Sequence, residues 1–556
     1  MLRKFLCVAL LTGAMAAPAF AQRGWVDQFL KRYKPSILTF PASRAAAQDT
    51  LPAMIRNGAI PLSVNDLVDL TLANNLDIAV QRLSPIQTGY SIELNNRPFE
   101  PTLRIGGSVG RDTSQSRSQF TGTSTVTSLS HSFNVGYGQT LKTGADVAVD
   151  FSVNRSSSSI SGIDNFNPSW YGVMRYSYTQ RVLNGFGRTV NTRGIRIAQN
   201  NKTISEIQFE RQVIDLVTQA QKSYWDLAFT AEDLKVKQSS LELAQKTLKD
   251  NQSQVDAGVM ARIDLVQAQL QVATREEDLL VSNSNQTQIE DQVKKLVSNR
   301  PDPGLVLARL TPTQTVRLPQ PGDVLPVADA IRVALENRPE LRQANLQLRN
   351  TEIDIEYSKN QLLPNLDITA SYTQNGLGGR QTLRNGFGPT APIIAVTEGG
   401  LFDALGQLVR SHSGGYSLGF NLQIPLTNRA QQAEYAQVSV QRTTAAENIK
   451  ALESQIALEV RNAITAVSLS SARIQTAQTS RTLAEQQYNA EQKKFELGAS
   501  IIRYVLEEQR NLVQMQSNEI AARMNYAKAL VDYDRALGLT LKKNNVTIDK
   551  AVAALK

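Results

Sequence analysis

The chain alternates between two hydrophobic periods. Val213, Val217, Ala220, Tyr224, Leu227, Ala231, Leu234, Gln238, Leu241, Gln245 and Leu248 follow steps of four and three, a heptad seam with two polar interruptions. Val460, Ala463, Val467, Ser470, Ile474 and Ala477 repeat the rhythm. No proline occurs between Asn191 and Gly258 or between Thr427 and Gly498. Each seam therefore predicts one helix of about 65–70 residues, roughly 100 Å long at 1.5 Å per residue. Gly258 and Gly498 permit the left-handed conformation that reverses a helix, and a shorter helical pattern follows each. Such rods are too polar to span lipid and too long for a compact domain, so their seams imply side-by-side packing in an elongated wall.

Other segments alternate with period two. In Tyr416–Ile424 the even positions are apolar and the odd ones polar or small, and Val147, Val149, Phe151 and Val153 alternate with Asp146, Ala148, Asp150 and Ser152. Phe133, Val135 and Tyr137 do the same, as do Ile368, Ala370 and Tyr372 against Asp367, Thr369 and Ser371. Segments with one greasy and one wet face suit a barrel wall between lipid and water. A half-buried antiparallel sheet shows the same alternation; the long helices joined directly to these strands favour the barrel. The Ser-, Gly- and Thr-rich stretches Arg111–Ser130, Asn154–Ser169 and Asn375–Gly415 read as surface loops, with Leu401–Arg410 a short amphipathic turn.

The programme occurs twice. Val64, Asp66, Leu72 and Asn74 align with Val327, Asp329, Leu335 and Asn337 at an offset of 263 residues, and Pro101 with Pro364. Asp256-Ala-Gly258 and Glu496-Leu-Gly498 lie 240 apart. The shorter offset means that the first copy carries extra residues between its opening helix and its long helix. The expected organisation is an extension over 22–61, a first repeat over 62–298, a linker over 299–324, a second repeat over 325–538 and a tail over 539–556. Barrel strands are expected at about 103–181, 366–374 and 414–426. Long helices are expected at about 190–257 and 428–497, with return helices at about 261–298 and 501–538.

Composition narrows the function classes. Residues 1–21 read as a secretory signal: Arg3 and Lys4, the apolar run Phe5–Ala17, and Ala19-Phe20-Ala21 before Gln22. Cys7, the chain's one cysteine, lies inside it, so disulfides and thiolate metal sites are not expected afterwards. His131 and His412 sit in polar surroundings and read as exposed loop residues. Lys plus Arg total 59 and Asp plus Glu 50, a net +9 without basic runs, so no nucleic-acid footprint is expected. Neither a phosphate-cradling glycine motif nor a nucleophile elbow nor a His/Cys cluster appears. Gly185-Phe-Gly187 before Arg188 reads as a turn. No catalytic residues, cofactor or metal are expected.

With these features the sequence resembles the TolC-like outer-membrane efflux family over residues 62–540. The resemblance rests on the paired openings ending Ala-Asn-Asn and Glu-Asn-Arg-Pro-Glu, the Leu-Leu-Pro-Asn-Leu366 entry to a strand, the Gln-Ile-Pro-Leu-Thr-Asn-Arg429 junction and the turns at Gly258 and Gly498. It implies a mainly α fold with β: a homotrimeric β-barrel in the outer membrane continuing into a periplasmic α-helical barrel. It also implies a passive exit duct for efflux or type I secretion, partnered by a periplasmic adaptor and an inner-membrane pump. The runner-up is a periplasmic coiled-coil adaptor or scaffold. An exported enzyme would need paired acids or a metal cluster.

By the family's pattern, constriction carboxylates follow the tip glycines. Asp264 matches the first, Tyr504 replaces the second and Glu507 matches the third, while Asp264 could equally cap the returning helix and Glu507 could be a solvated helix residue. The same resemblance gives adaptor contact to Ala257, Gly258, Val259, Leu497, Gly498 and Ala499. Two departures stand out. Family members give two strands per half and twelve per trimer, whereas the first half here offers four, at about 103–110, 130–141, 145–155 and 170–181, the middle pair joined in a tight hairpin at Lys142-Thr143-Gly144. Residues 22–61, with Trp25 and Phe29, have no counterpart in the family pattern.

Overall fold

The computed structural model describes residues 58–116, 123–160, 164–258, 260–297, 303–386, 391–410 and 413–547, with Lys31 and Tyr33. The expected signal over 1–21, Val259, His412 and most of the 22–61 extension lie outside the described residues.

Strand β1 (Ala59–Leu62) runs into α1 (Val64–Asn74) through a capping box: the Ser63 hydroxyl accepts from the Asp66 N–H and the Asp66 carboxylate accepts from the Ser63 N–H. Helices α2 (Leu76–Gln81) and α3 (Leu83–Asn96) climb to β2 (Thr102–Gln115), β3 (Thr125–Thr140), β4 (Ala145–Ser158) and β5 (Phe166–Arg181). A short α4 (Arg188–Asn191) then opens the rod α5 (Arg193–Asp256), which reverses into α6 (Arg262–Val297). Helix α7 (Pro303–Leu307) and β6 (Arg309–Pro312) lead to the second copy: α8 (Val327–Asn337), α9 (Pro339–Gln361), β7 (Asn365–Arg384), β8 (Ile393–Thr397), α10 (Leu401–Arg410) and β9 (Ser413–Gln423). The rod α11 (Arg429–Glu496) and its return α12 (Ile502–Ala536) follow, and α13 (Thr540–Lys543) ends the described chain. The two rods hold 64 and 68 residues, about 100 Å each.

All large strands form one antiparallel sheet in the order β2-β3-β4-β5-β7, with β9 pairing the lower part of β7 and β8 its far end. The sheet does not close: β2 is one free edge and β9, exposed along its whole length, is the other. Three stretches expected as loops carry strand as well. β2 continues to Gln115 and β3 starts at Thr125, β4 and β5 take all but the turn of 154–169, and β7 reaches Arg384. Serine and threonine there include strand residues whose hydroxyls pair across the ladder, as in Thr113–Thr127 at 3.0 Å. His131 likewise stands inside β3, opposite Val109 and Arg155 and partly buried, not in an exposed loop. The hairpin at Leu141–Gly144 turns tightly, with Gly144 at φ +90 and its N–H donating to the Leu141 carbonyl.

Cores lie where the rods cross the short helices. Val213, Val217, Ala220, Tyr224 and Leu227 are buried as the heptad predicts, and Ile456, Val460, Val467 and Ile474 form the second seam. Below Leu227 the first seam changes frame. Gln238 and Gln245 are exposed, and Thr230, Ser240, Ala244 and Asn251 are buried instead. Steps of three in succession (227, 230, 233) shift the seam around the rod. The small polar residues that line it below this point gave no apolar period to read.

Candidate functional site

Directly opposed residues in an antiparallel sheet share a face, so the register sorts the wall. One face carries Leu103, Ile105 and Val109 of β2, Phe133, Val135 and Tyr137 of β3, and Val147, Val149, Phe151 and Val153 of β4. Met174, Tyr176 and Tyr178 of β5, Ala370 and Tyr372 of β7, and Tyr416, Leu418, Phe420 and Leu422 of β9 continue it. Tyr176 and Tyr372 stack on it at 6.4 Å. The other face is polar. One row crosses it as Arg104, Gly136, Asp150, Arg175, Thr373 and Gly415, and neighbouring rows hold Ser132, Asn134, Ser152, Ser177, Ser371 and Ser417. A wall greasy on one side and charged on the other separates lipid from water.

At the base of the sheet the turn after β5 is locked to α4 and α9. Gly185 and Gly187 adopt φ +77 and +97, and the Asn191 amide donates to both their carbonyls at 2.8 Å. Here the Gly-Phe-Gly segment is a strand-to-helix turn. Asn360 of α9 also clamps it, accepting from the Gly185 N–H at 2.7 Å.

At mid-height three tyrosines hold the segment between the repeats. The Tyr224 hydroxyl accepts from the Gln314 N–H at 2.9 Å and that of Tyr533 from the Leu325 N–H at 3.0 Å. The Tyr526 hydroxyl donates to Asp323, which also accepts from the Gln320 N–H at 2.8 Å and pairs with Arg317. Burial alone would raise the Asp323 carboxyl; the bonds from Tyr526, Gln320 and Arg317 outweigh it and hold that carboxyl below the usual carboxylate range. Burial and the facing Asp323 charge push the Tyr526 phenol upward. The repeats are further joined along α5 and α12 by Lys222–Asp532, Asp226–Lys528 and Asp215–Arg535 ion pairs. Steps of three and four on α12 are the sequence signal for this zipper, visible only once its partner helix is known.

At the far end both rods turn on a left-handed glycine, Gly258 at φ +76 and Gly498 at φ +74. The second turn closes a Schellman motif, with Gly498 N–H to Phe495 O and Ala499 N–H to Lys494 O. The Ser500 hydroxyl donates to Glu491, and with Lys494 it holds that carboxyl below its ordinary value. Ile502, Val505 and Leu506 are buried against Met260, Tyr488 and Phe495, so the two turns sit side by side.

Ala257, Gly258, Leu497, Gly498 and Ala499 are exposed, Leu497 at 84%. Asp264 stands in the first turn of α6, half-exposed. Tyr504 and Glu507 lie on the exposed flank of α12, away from the buried Val505–Leu506 side. Arg503 and Arg510, also exposed, are four before and three after Glu507. Among the described residues no cluster of His, Cys, Asp or Glu is placed to hold a metal, and no helix is long and apolar enough to cross a membrane.

The family model for outer membrane efflux protein matches residues 146–299 and 330–539. Among curated proteins none matches the chain in sequence. Solved structures do match in fold. The CmeC outer membrane channel of Campylobacter jejuni is 17% identical with a TM-score of 0.59, over 89% of this chain and 90% of that one. The outer membrane protein VceC of Vibrio cholerae is 14% identical with a TM-score of 0.58, over 85% and 96%. The open state of the Neisseria gonorrhoeae MtrE outer membrane channel is 15% identical with a TM-score of 0.55, over 85% and 88%. At such identities the likeness is one of fold.

Proposed function

The chain belongs to the outer membrane efflux protein family, and from that premise we propose that three copies assemble edge to edge into one continuous conduit. The family is one of channels, not of enzymes. The protein sits in the outer membrane, extends into the periplasm and serves as an exit duct for efflux systems. The observation that carries the assembly is the open sheet: six strands across, greasy on one face and wet on the other, with the outer edges of β2 and β9 unpaired among the described residues. An unpaired strand edge in lipid leaves backbone groups costing several kcal/mol each, and identical copies in a ring remove every edge.

The polarity is right for closure. Strand directions alternate from β2 to β9, so β9 of one copy runs antiparallel to β2 of the next. Six strands from each of three copies make an eighteen-stranded barrel rather than a twelve-stranded one, about half again as wide at equal tilt. The β3–β4 hairpin accounts for the added pair. Keeping apolar residues on one face requires that even positions of β9 oppose odd positions of β2.

At the other end, the exposed small residues and Leu497 of the two turns suit docking of a periplasmic adaptor's helical hairpins, with an inner-membrane pump supplying energy. Val259 belongs to this reading by position alone. Asp264, Tyr504 and Glu507 come three-fold around the axis as the constriction, with Arg503 and Arg510 tempering the charge.

The test pairs Ile105→Cys with Leu418→Cys, Phe420→Cys or Leu422→Cys in a chain lacking Cys7, under oxidation. Expected is covalent trimer from one of the three pairs. A trimer by native mass that no pair links would discard the β2–β9 seam, and a stable monomer without pore activity in planar bilayers would discard the conduit.

A further inference from the structure

Helix α10 (Leu401–Arg410) lies on the sheet in a seat made of glycine. A Cβ on Gly376 would stand 2.0 Å from the Ala404 carbonyl oxygen, one on Gly378 2.2 Å from that of Gly400, and one on Gly172 2.9 Å from Leu408 Cδ1. Any side chain at Gly376 or Gly378 would lift the helix off. Ala404 and Leu408 are buried in this contact. The Gln407 amide accepts from the Leu377 N–H at 3.0 Å and donates to its carbonyl at 2.8 Å. It thereby fills the stretch of β7 between Asn375, where β9 pairing stops, and Gln381, where β8 pairing begins.

Register places this seat on the greasy face. Gly172 opposes both Val153 and Gly376, and it alternates in step with Met174 and Tyr176. The helix is therefore outside the wall, not in the lumen. Its height is also fixed. The next row away from the rods carries His131, Arg155, Trp170 and Gly378, with the Arg155 guanidinium 5.7 Å from the Trp170 ring centre. Tryptophan beside a cation marks the membrane–water boundary. Below that row the face is aliphatic and aromatic.

Around α10 the side chains divide into sectors. Phe402 and Val409, seven apart and within about 20° of each other on the helix, are 84% and 87% exposed. Asp403 and Arg410 form a second pair about 100° further round and are also exposed. An amphipathic helix with aromatic and aliphatic residues on one side and charges on the other lies in the interface plane, its apolar side at the headgroup–acyl boundary.

We propose that α10 is an interfacial helix of the barrel's outer surface, inserting Phe402 and Val409 among the acyl chains of the outer leaflet and so fixing the depth of the barrel. The occupant of its free apolar side is lipid, because the helix is seated on the same face of the sheet as the lipid-facing band. This rests on the reading of the sheet as an outer-membrane barrel.

The test uses the full-length trimer without Cys7, in lipid nanodiscs, with an environment-sensitive dye on Phe402→Cys, Val409→Cys, Asp403→Cys or Phe133→Cys. Phe133, on β3, faces lipid within the wall and is the control. Expected is loss of about half the emission at positions 402 and 409 when the lipid carries a nitroxide high on the acyl chain, with position 403 quenched by aqueous iodide instead. Dyes at 402 and 409 quenched by iodide, or shielded from both quenchers as they would be beneath a neighbouring copy, overturn the proposal if the Phe133 position is quenched by lipid. Failure at position 133 condemns the barrel reading itself.

Discussion

Asp323 shows how a single carboxylate can organise a segment with little regular structure. It takes the Tyr526 hydroxyl, the Gln320 N–H and Arg317 together, tying the inter-repeat linker to α12. Tyr526→Phe keeps the packing and removes one hydrogen bond to a charged group, so it should cost about 2 kcal/mol, read as a lower Tm. The pH dependence follows from both partners. A carboxyl held below its unfolded value of 3.8 contributes stability above that pH and loses it as acid titrates the folded form. A phenol held above its unfolded value of 10.0 contributes below that pH and loses it in stronger base. The difference in Tm between wild type and Tyr526→Phe should thus be greatest between these values and shrink beyond both. A difference that is flat across pH would show that the loss is one of packing alone.

The rods show which elements a sequence can announce. Seam positions such as Val213, Tyr224, Val460 and Ile474 are large, apolar and regularly spaced, and all are buried. Lower in α5 the buried positions are Ser240, Ala244 and Asn251, which resemble solvent-facing residues, so the frame shift was invisible. The strands were legible where apolar and polar residues alternate. They were not legible where hydroxyl pairs or glycines replace that alternation, as at the outer ends of β2 and β7. Helix α10 read as a turn because its seat is built from glycines on other strands. Ile474→Ala should cost about 2–4 kcal/mol through an unfilled cavity, whereas Ser240→Ala should be neutral or slightly stabilising because the buried Ser240 hydroxyl has no partner. Thermal unfolding of the two variants separates an apolar seam position from a polar one; equal losses would contradict the description of the lower seam of α5.

On the scale of the proposed trimer, one exposed residue per chain would become a ring. Three Glu507 side chains near the axis would favour cations at the constriction, and the adjacent Arg503 and Arg510 would limit how strongly. Glu507→Gln should therefore shift the reversal potential under a salt gradient toward anions, with little change in Tm since Glu507 is exposed. An unchanged reversal potential would place Glu507 away from the current path. The candidate constriction was legible only by resemblance, because Asp264, Tyr504 and Glu507 carry no geometric signature within one chain.

The hairpin between β3 and β4 has a consequence for flow. In the proposed barrel it would enlarge the circumference at the mouth, while the rods below remain two per chain. Resistances in series add, so a wider mouth subtracts almost nothing from the total once the tips are the narrowest stretch. Throughput of the proposed conduit would then be governed at the end remote from the cell exterior, however wide the mouth.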